Sequence, residues 1–222
     1  MNTTIGDLLP LAIAIAISPV AIIATILMLM GPRARILSPC FLVGWVLGVL
    51  AATVVFTLLA GVLPESSSDS KPLVGALRVL LGLALLGLSV RQWRSRPRSG
   101  SEPSLPAWMS TVDTMRPAAA MGTAALLAAV NPKNLLLTVT AGSVLGSSGL
   151  GTGGVVVCGA VFVAVASASI ALPTIAYLVS PGRAEPVLAS LRSWLVANNT
   201  AIMCVLLIVL GTKLLGDGIG AL

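Results

Sequence analysis

Ala16-Ile17-Ser18-Pro19-Val20-Ala21-Ile22-Ile23-Ala24-Thr25 and Ala129-Val130-Asn131-Pro132-Lys133-Asn134-Leu135-Leu136-Leu137-Thr138 decide how this chain is read. Laid over each other, they share alanine, proline and threonine at the same offsets, with a small polar residue before each proline. Both lie inside long apolar runs. A proline there has no N–H to donate and frees a carbonyl one turn back. Paired interruptions at corresponding depth in two halves of a membrane protein point to a carrier's central site.

Composition supports a membrane setting. The chain is 57% hydrophobic and 9% charged, with a mean hydropathy of +1.05, where a soluble domain carries about a quarter charged residues. Six apolar runs reach the ~20 residues a helix needs to cross a bilayer: 5–30, 36–63, 73–92, 118–145, 155–180 and 196–216. The short alternating segments of a β-barrel are missing. The first run has no basic flank and exceeds a signal peptide's apolar core, so it is expected to stay in the membrane.

The fold class expected is therefore an all-α polytopic membrane protein. A polar, Arg-, Ser- and Pro-rich stretch separates two groups of three spans, giving a first repeat over 1–92, a basic cytoplasmic linker over 93–117 and a second repeat over 118–222. Three is odd, so the second triplet enters from the opposite face. The result is a 3+3 inverted-topology repeat with spans one and four broken. Each proline lies ~20 Å along its span, at 1.5 Å per residue.

Nine of the thirteen Lys/Arg residues fall on one side in this arrangement: Arg33, Arg35, Arg91, Arg94, Arg96, Arg98, Arg116, Arg183 and Arg192. By the positive-inside rule that side is cytoplasmic and both termini are extracytoplasmic. The net charge of +6 is thus a topology signal, and no nucleic-acid partner is expected. Val187, Leu188, Leu191, Trp194 and Leu195 have helical spacing and read as a short interfacial helix before span six.

Lys133 is the leading candidate for function, because a charge at bilayer depth costs about 2.5–3.5 kcal/mol and needs a partner or a wet cavity. It faces a substrate, snorkels to an interface, or bonds the carbonyls of a broken helix. Ser18, Pro19, Asn131, Pro132 and Asn134 share its element or its counterpart and complete the expected substrate site. Arg78, about six residues into span three, joins it unless it snorkels. Thr25 and Thr138 read as back-bonded to their own helices. Lys213 and Asp217, spaced i, i+4, read as a surface pair.

No acid lies near the middle of any span, so a proton relay of the usual kind is not expected. Cys40, Cys158 and Cys204 stand singly, and histidine is absent. Neither hydrolase chemistry, a metal site nor a cofactor is expected. The chain is read as a non-enzyme.

These residues resemble the LysE superfamily of exporters, and within it the GAP or Sap branch, the glycolipid- and sulfolipid-addressing proteins of mycobacteria and other actinobacteria. The likeness runs from Gly6 to Gly216. It implies export or flipping of cell-envelope (glyco)lipids or other anionic amphipathic molecules across the cytoplasmic membrane. It also implies a larger lipid exporter as partner. Small-residue helix faces suggest a homodimer. Two other readings stand beside it: a LysE-type exporter of small metabolites or amino acids, and a non-transporting accessory for lipid export docked through its basic loop. A membrane electron carrier of the DsbD or CcdA type has a similar plan but needs cysteines beside the prolines, where this chain has Ser18, Val20, Asn131 and Lys133.

Overall fold

Eight helices form in a computed structural model that describes residues 1–62, 71–94 and 114–220. They are α1 (Asn2–Ala16), α2 (Pro19–Met30), α3 (Ala34–Val62), α4 (Lys71–Arg94), α5 (Pro117–Ala129), α6 (Pro132–Gly146), α7 (Thr152–Val179) and α8 (Pro181–Ile219). Most of the 93–117 linker lies outside the described residues.

Both proline elements are breaks. α1 and α2 meet at 55°, and α5 and α6 at 65°. Pro19 and Pro132 each take the first position of the helix that follows, where a missing N–H costs nothing and the fixed φ suits a helical start. α3, α7 and α8 are each long and apolar enough to cross a membrane, and each bent pair qualifies when taken as one span. The protein is a multi-pass helical membrane protein. Large apolar side chains such as Leu47, Leu58, Leu126, Val156, Leu172 and Val179 are exposed. Water would penalise so much contiguous apolar surface, whereas lipid accepts it.

The chain packs as two units. One takes α1, α2, α3, α5, α6, α7 and α8 up to Leu195; the other takes α4 and α8 from Val196. In the first unit α3 lies against α5, α6 and α7, while α1 packs on α7 and α6. Small residues permit this closeness. A Cβ on Gly44 would collide with the Met121 backbone, and one on Gly48 would stand 2.6 Å from the Ala125 carbonyl. Ala120, Ala124 and Ala128 form the facing stripe of α5, all fully buried. Without a hydrophobic force between helices in lipid, such close backbone contact is what holds them together. Arg33 in the α2–α3 turn donates to the Met115 carbonyl at 3.2 Å, just ahead of α5.

In the second unit Gly82 meets the Gly211 carbonyl and Leu215, and Gly218 meets Val79 and Gly75. Ser89 Oγ donates to the Cys204 carbonyl at 3.2 Å, and Cys204 Sγ donates to the Ser89 carbonyl at 3.5 Å. Gly211 is tightly covered, whereas Gly87 has nothing within 4 Å.

α8 differs from the expectation of a separate interfacial helix. Residues 187–210 contain neither Gly nor Pro, so nothing breaks the helix before span six. One helix of 39 residues results, ~58 Å long at 1.5 Å per residue and about twice the hydrocarbon thickness.

Candidate functional site

The chemistry concentrates at the two breaks of the first unit, and an inventory of freed carbonyls shows how. In a continuous helix the carbonyl of residue i accepts from the N–H of i+4. Pro19 leaves the Ile15 carbonyl without that donor. Ser18 N–H turns back to the Ala16 carbonyl at 2.8 Å, so the Ala14 carbonyl loses its donor as well. Ile17 adopts φ −77°, ψ 73° as the C-cap, outside the helical region, and its carbonyl leaves the α1 axis.

Side chains from α6 and α7 reach three carbonyls of this segment. Lys133 Nζ donates to the Ala14 carbonyl and to the Ile17 carbonyl, each at 2.8 Å. Ser169 Oγ, on α7, donates to the Ala16 carbonyl at 2.6 Å. Lys133 is 2% exposed. Its ammonium sits at the C-terminal end of α1, where the helix dipole is negative. In the structure Lys133 bonds the carbonyls of a broken helix, and that helix, α1, lies 116 to 119 residues away in sequence.

The second break is served from within. Asn131 is the N-cap of α6, its Oδ1 accepting from Lys133 N–H at 3.1 Å. Asn134 Nδ2 donates to the Leu127 carbonyl at 3.3 Å. Leu127 stands five residues before Pro132, as Ala14 stands five before Pro19, so carbonyls at equivalent offsets each receive a side-chain donor. The first break cannot do this locally, because Ala21 occupies the place of Asn134. Asn134 is fully buried and its Oδ1 has no hydrogen-bond partner in the structure; the same holds for Ser167 Oγ on α7. Buried polar atoms without a partner among the described residues are rare in native structures.

The structure brings Lys133 to the break that contains Ser18 and Pro19. Ser18 is buried and is the N-cap of α2 without a side-chain cap bond; Pro19 is buried beside it. Asn131 is half-buried and Pro132 exposed. Arg78 lies on α4, and its side chain falls outside the described residues. Thr25 donates to the Ala21 carbonyl and Thr138 to the Asn134 carbonyl, both at 2.9 Å, as expected for back-bonded threonines. Lys213 and Asp217 form an exposed pair at 3.1 Å. Ser169 and Ser167 were not among the expected site residues. The run Ser167-Ala168-Ser169 in an otherwise apolar span is the signal that marks them.

Residues 8–220 match the family described as Sap, sulfolipid-1-addressing protein. The chain belongs to this family. The match takes in both breaks, and with them every residue of the Lys133 network. No curated protein and no solved structure matches the chain.

Proposed function

We propose that this Sap-family chain is a carrier of the LysE superfamily type that exports or flips cell-envelope (glyco)lipids, or other anionic amphipathic molecules, across the cytoplasmic membrane. The observation that carries the reading is the pair of bent spans, broken at equivalent prolines and joined through Lys133. Half-helices meeting at bilayer depth place free backbone groups and helix ends where a carrier holds its substrate. Ser18, Pro19, Asn131, Pro132, Lys133 and Asn134 line that place in this reading. The family's description points the same way, toward a lipid.

Six spans in two inverted triplets are the architecture proposed. α4, at 24 residues, is ~36 Å long and suffices as the remaining span. Each unit also draws equivalent elements from both triplets: spans one and two with four and five, then three with six. Arg33 reaching to Met115 places the α2–α3 turn and the start of α5 at one end. The arginine distribution makes that end cytoplasmic and leaves both termini outside.

An anionic headgroup fits the charge balance. α2, α3, α5, α6 and α7 contain no Asp or Glu, and the one acid of α1, Asp7, is exposed, so the Lys133 amino group is met by backbone carbonyls and not by a carboxylate. A cationic substrate would find no carboxylate on these helices to pair with.

The test compares surface-extractable lipids from a deletion strain complemented with wild type or Lys133→Met, with membrane abundance of each protein measured in parallel. The carrier reading expects one lipid class to disappear on deletion, to return with wild type, and to stay absent with Lys133→Met at matched abundance. An unchanged lipid profile on deletion overturns it. Full rescue by the variant transfers the weight to an accessory role.

A further inference from the structure

The two breaks solve one problem with different chemistry. The Leu127 carbonyl receives a neutral amide from Asn134, whereas the Ala14 carbonyl, at the equivalent offset, receives the Lys133 ammonium. A neutral donor is therefore enough to satisfy a carbonyl at such a break. The first break nonetheless holds a lysine amino group, 2% exposed and at 2.8 Å from two carbonyl oxygens.

Backbone carbonyls of an unwound segment, at the C-terminal end of a half-helix, are the ligands with which secondary carriers hold a coupling cation. They are hard oxygen donors and lie at the negative pole of the dipole. Ala14 and Ile17 supply such carbonyls here, while the Ala16 carbonyl accepts from Ser18 N–H and from the Ser169 hydroxyl. Primary ammonium is close to potassium in size and has N–H groups to aim at each oxygen. Its four-carbon tether starts 119 residues away in sequence from Ala14, so the link is purely tertiary.

We propose that Lys133 is a tethered monovalent cation, and that the Ala14 and Ile17 carbonyls form a binding site for a small primary ammonium ion that the chain fills from within. The site stands on the hydrogen bonds alone. Its consequence for transport, that no external alkali ion occupies this position during the cycle, rests on the carrier reading.

Thermal unfolding of the full chain in lipid nanodiscs tests the site without measuring transport, so a failed carrier reading leaves the result intact. Wild type is expected to melt at one temperature in choline, sodium and potassium chloride at equal ionic strength. Lys133→Ala is expected to melt about 5–10 °C lower, from two lost charge-assisted bonds. Propylammonium, the fragment removed by that substitution, is expected to restore most of the loss, and tetramethylammonium, which has no N–H, none of it. Equal effects of the two ions overturn the proposal, as does an unshifted Lys133→Ala or a wild type that is stabilised by potassium over choline. Should Lys133→Ala fail to accumulate, Lys133→Arg and Lys133→Met are compared by melting temperature. A cation site requires Arg above Met, and the reverse order overturns it.

Discussion

Lys133 and Asn134 are neighbours in sequence but serve opposite breaks. Consecutive residues on a helix point about 100° apart, so from the first turn of α6 one side chain reaches across to α1 and the other turns back to α5. Replacing Asn134 with Leu keeps the branched shape and leaves the half-buried Leu127 carbonyl without its side-chain donor. We expect a loss of about 1–2 kcal/mol, read as a melting temperature lower by about 2–8 °C. Lys213→Met provides the contrast. Its partner Asp217 is solvated, with the two side chains 53% and 46% exposed, and stability should change by less than about 0.5 kcal/mol. A larger change would give that exposed pair a role its geometry does not suggest.

At the scale of elements, the breaks and the glycine contacts carry separate expectations. Pro19→Ala supplies an N–H to the Ile15 carbonyl and removes the reason for the bend. Spin labels at Leu9 and Met30, both exposed, should then move apart toward the ~32 Å of a straight helix, and lipid display should fall. An unchanged distance would mean that packing against α6 and α7, not the proline, sets the 55° bend. Gly48→Val drives a side chain into the Ala125 carbonyl and the Ala128 methyl, at 2.6 and 2.9 Å from the first added carbon. Overpacking of that kind costs about 1–3 kcal/mol. Gly87→Ala meets nothing within 4 Å, and relief of backbone entropy should leave it neutral or stabilised by up to ~1 kcal/mol. Both glycines lie in long apolar helical runs of the sequence. Which one touches a neighbour depends on the rotation of each helix, and that is fixed by packing.

For the whole molecule the decisive quantity is the parity of the spans. Single cysteines introduced as Asn2→Cys and Gly220→Cys, in a background with Cys40, Cys158 and Cys204 replaced by Ala, should both react with an impermeant maleimide in intact cells. Arg33→Cys should react only after permeabilisation. Termini on opposite faces would indicate five spans and remove the inverted repeat. The continuous α8 bears on the same question, because ~58 Å of unbroken helix cannot lie entirely within the hydrocarbon. Its first part, with Val187, Leu191 and Trp194 exposed, is continuous with the rest of the helix.

What the amino-acid sequence determined by itself is local. Proline removes a donor wherever it stands, so the two breaks, their matched offsets and the back-bonded threonines follow from residues within one turn of each other. Hydropathy follows from composition, and so the helices' exposure to lipid was legible too. The tertiary structure decided which side chains reach the carbonyls of the first break. Ala14, Ala16 and Ile17 are met by Lys133 and Ser169, between 116 and 153 residues away, and no local pattern encodes a distance of that kind. Nor does any local pattern explain why one break keeps a neutral amide while the other keeps a lysine amino group. That difference arises because Ala21 offers no donor where Asn134 does, and only the approach of α6 to α1 brings a donor to take its place.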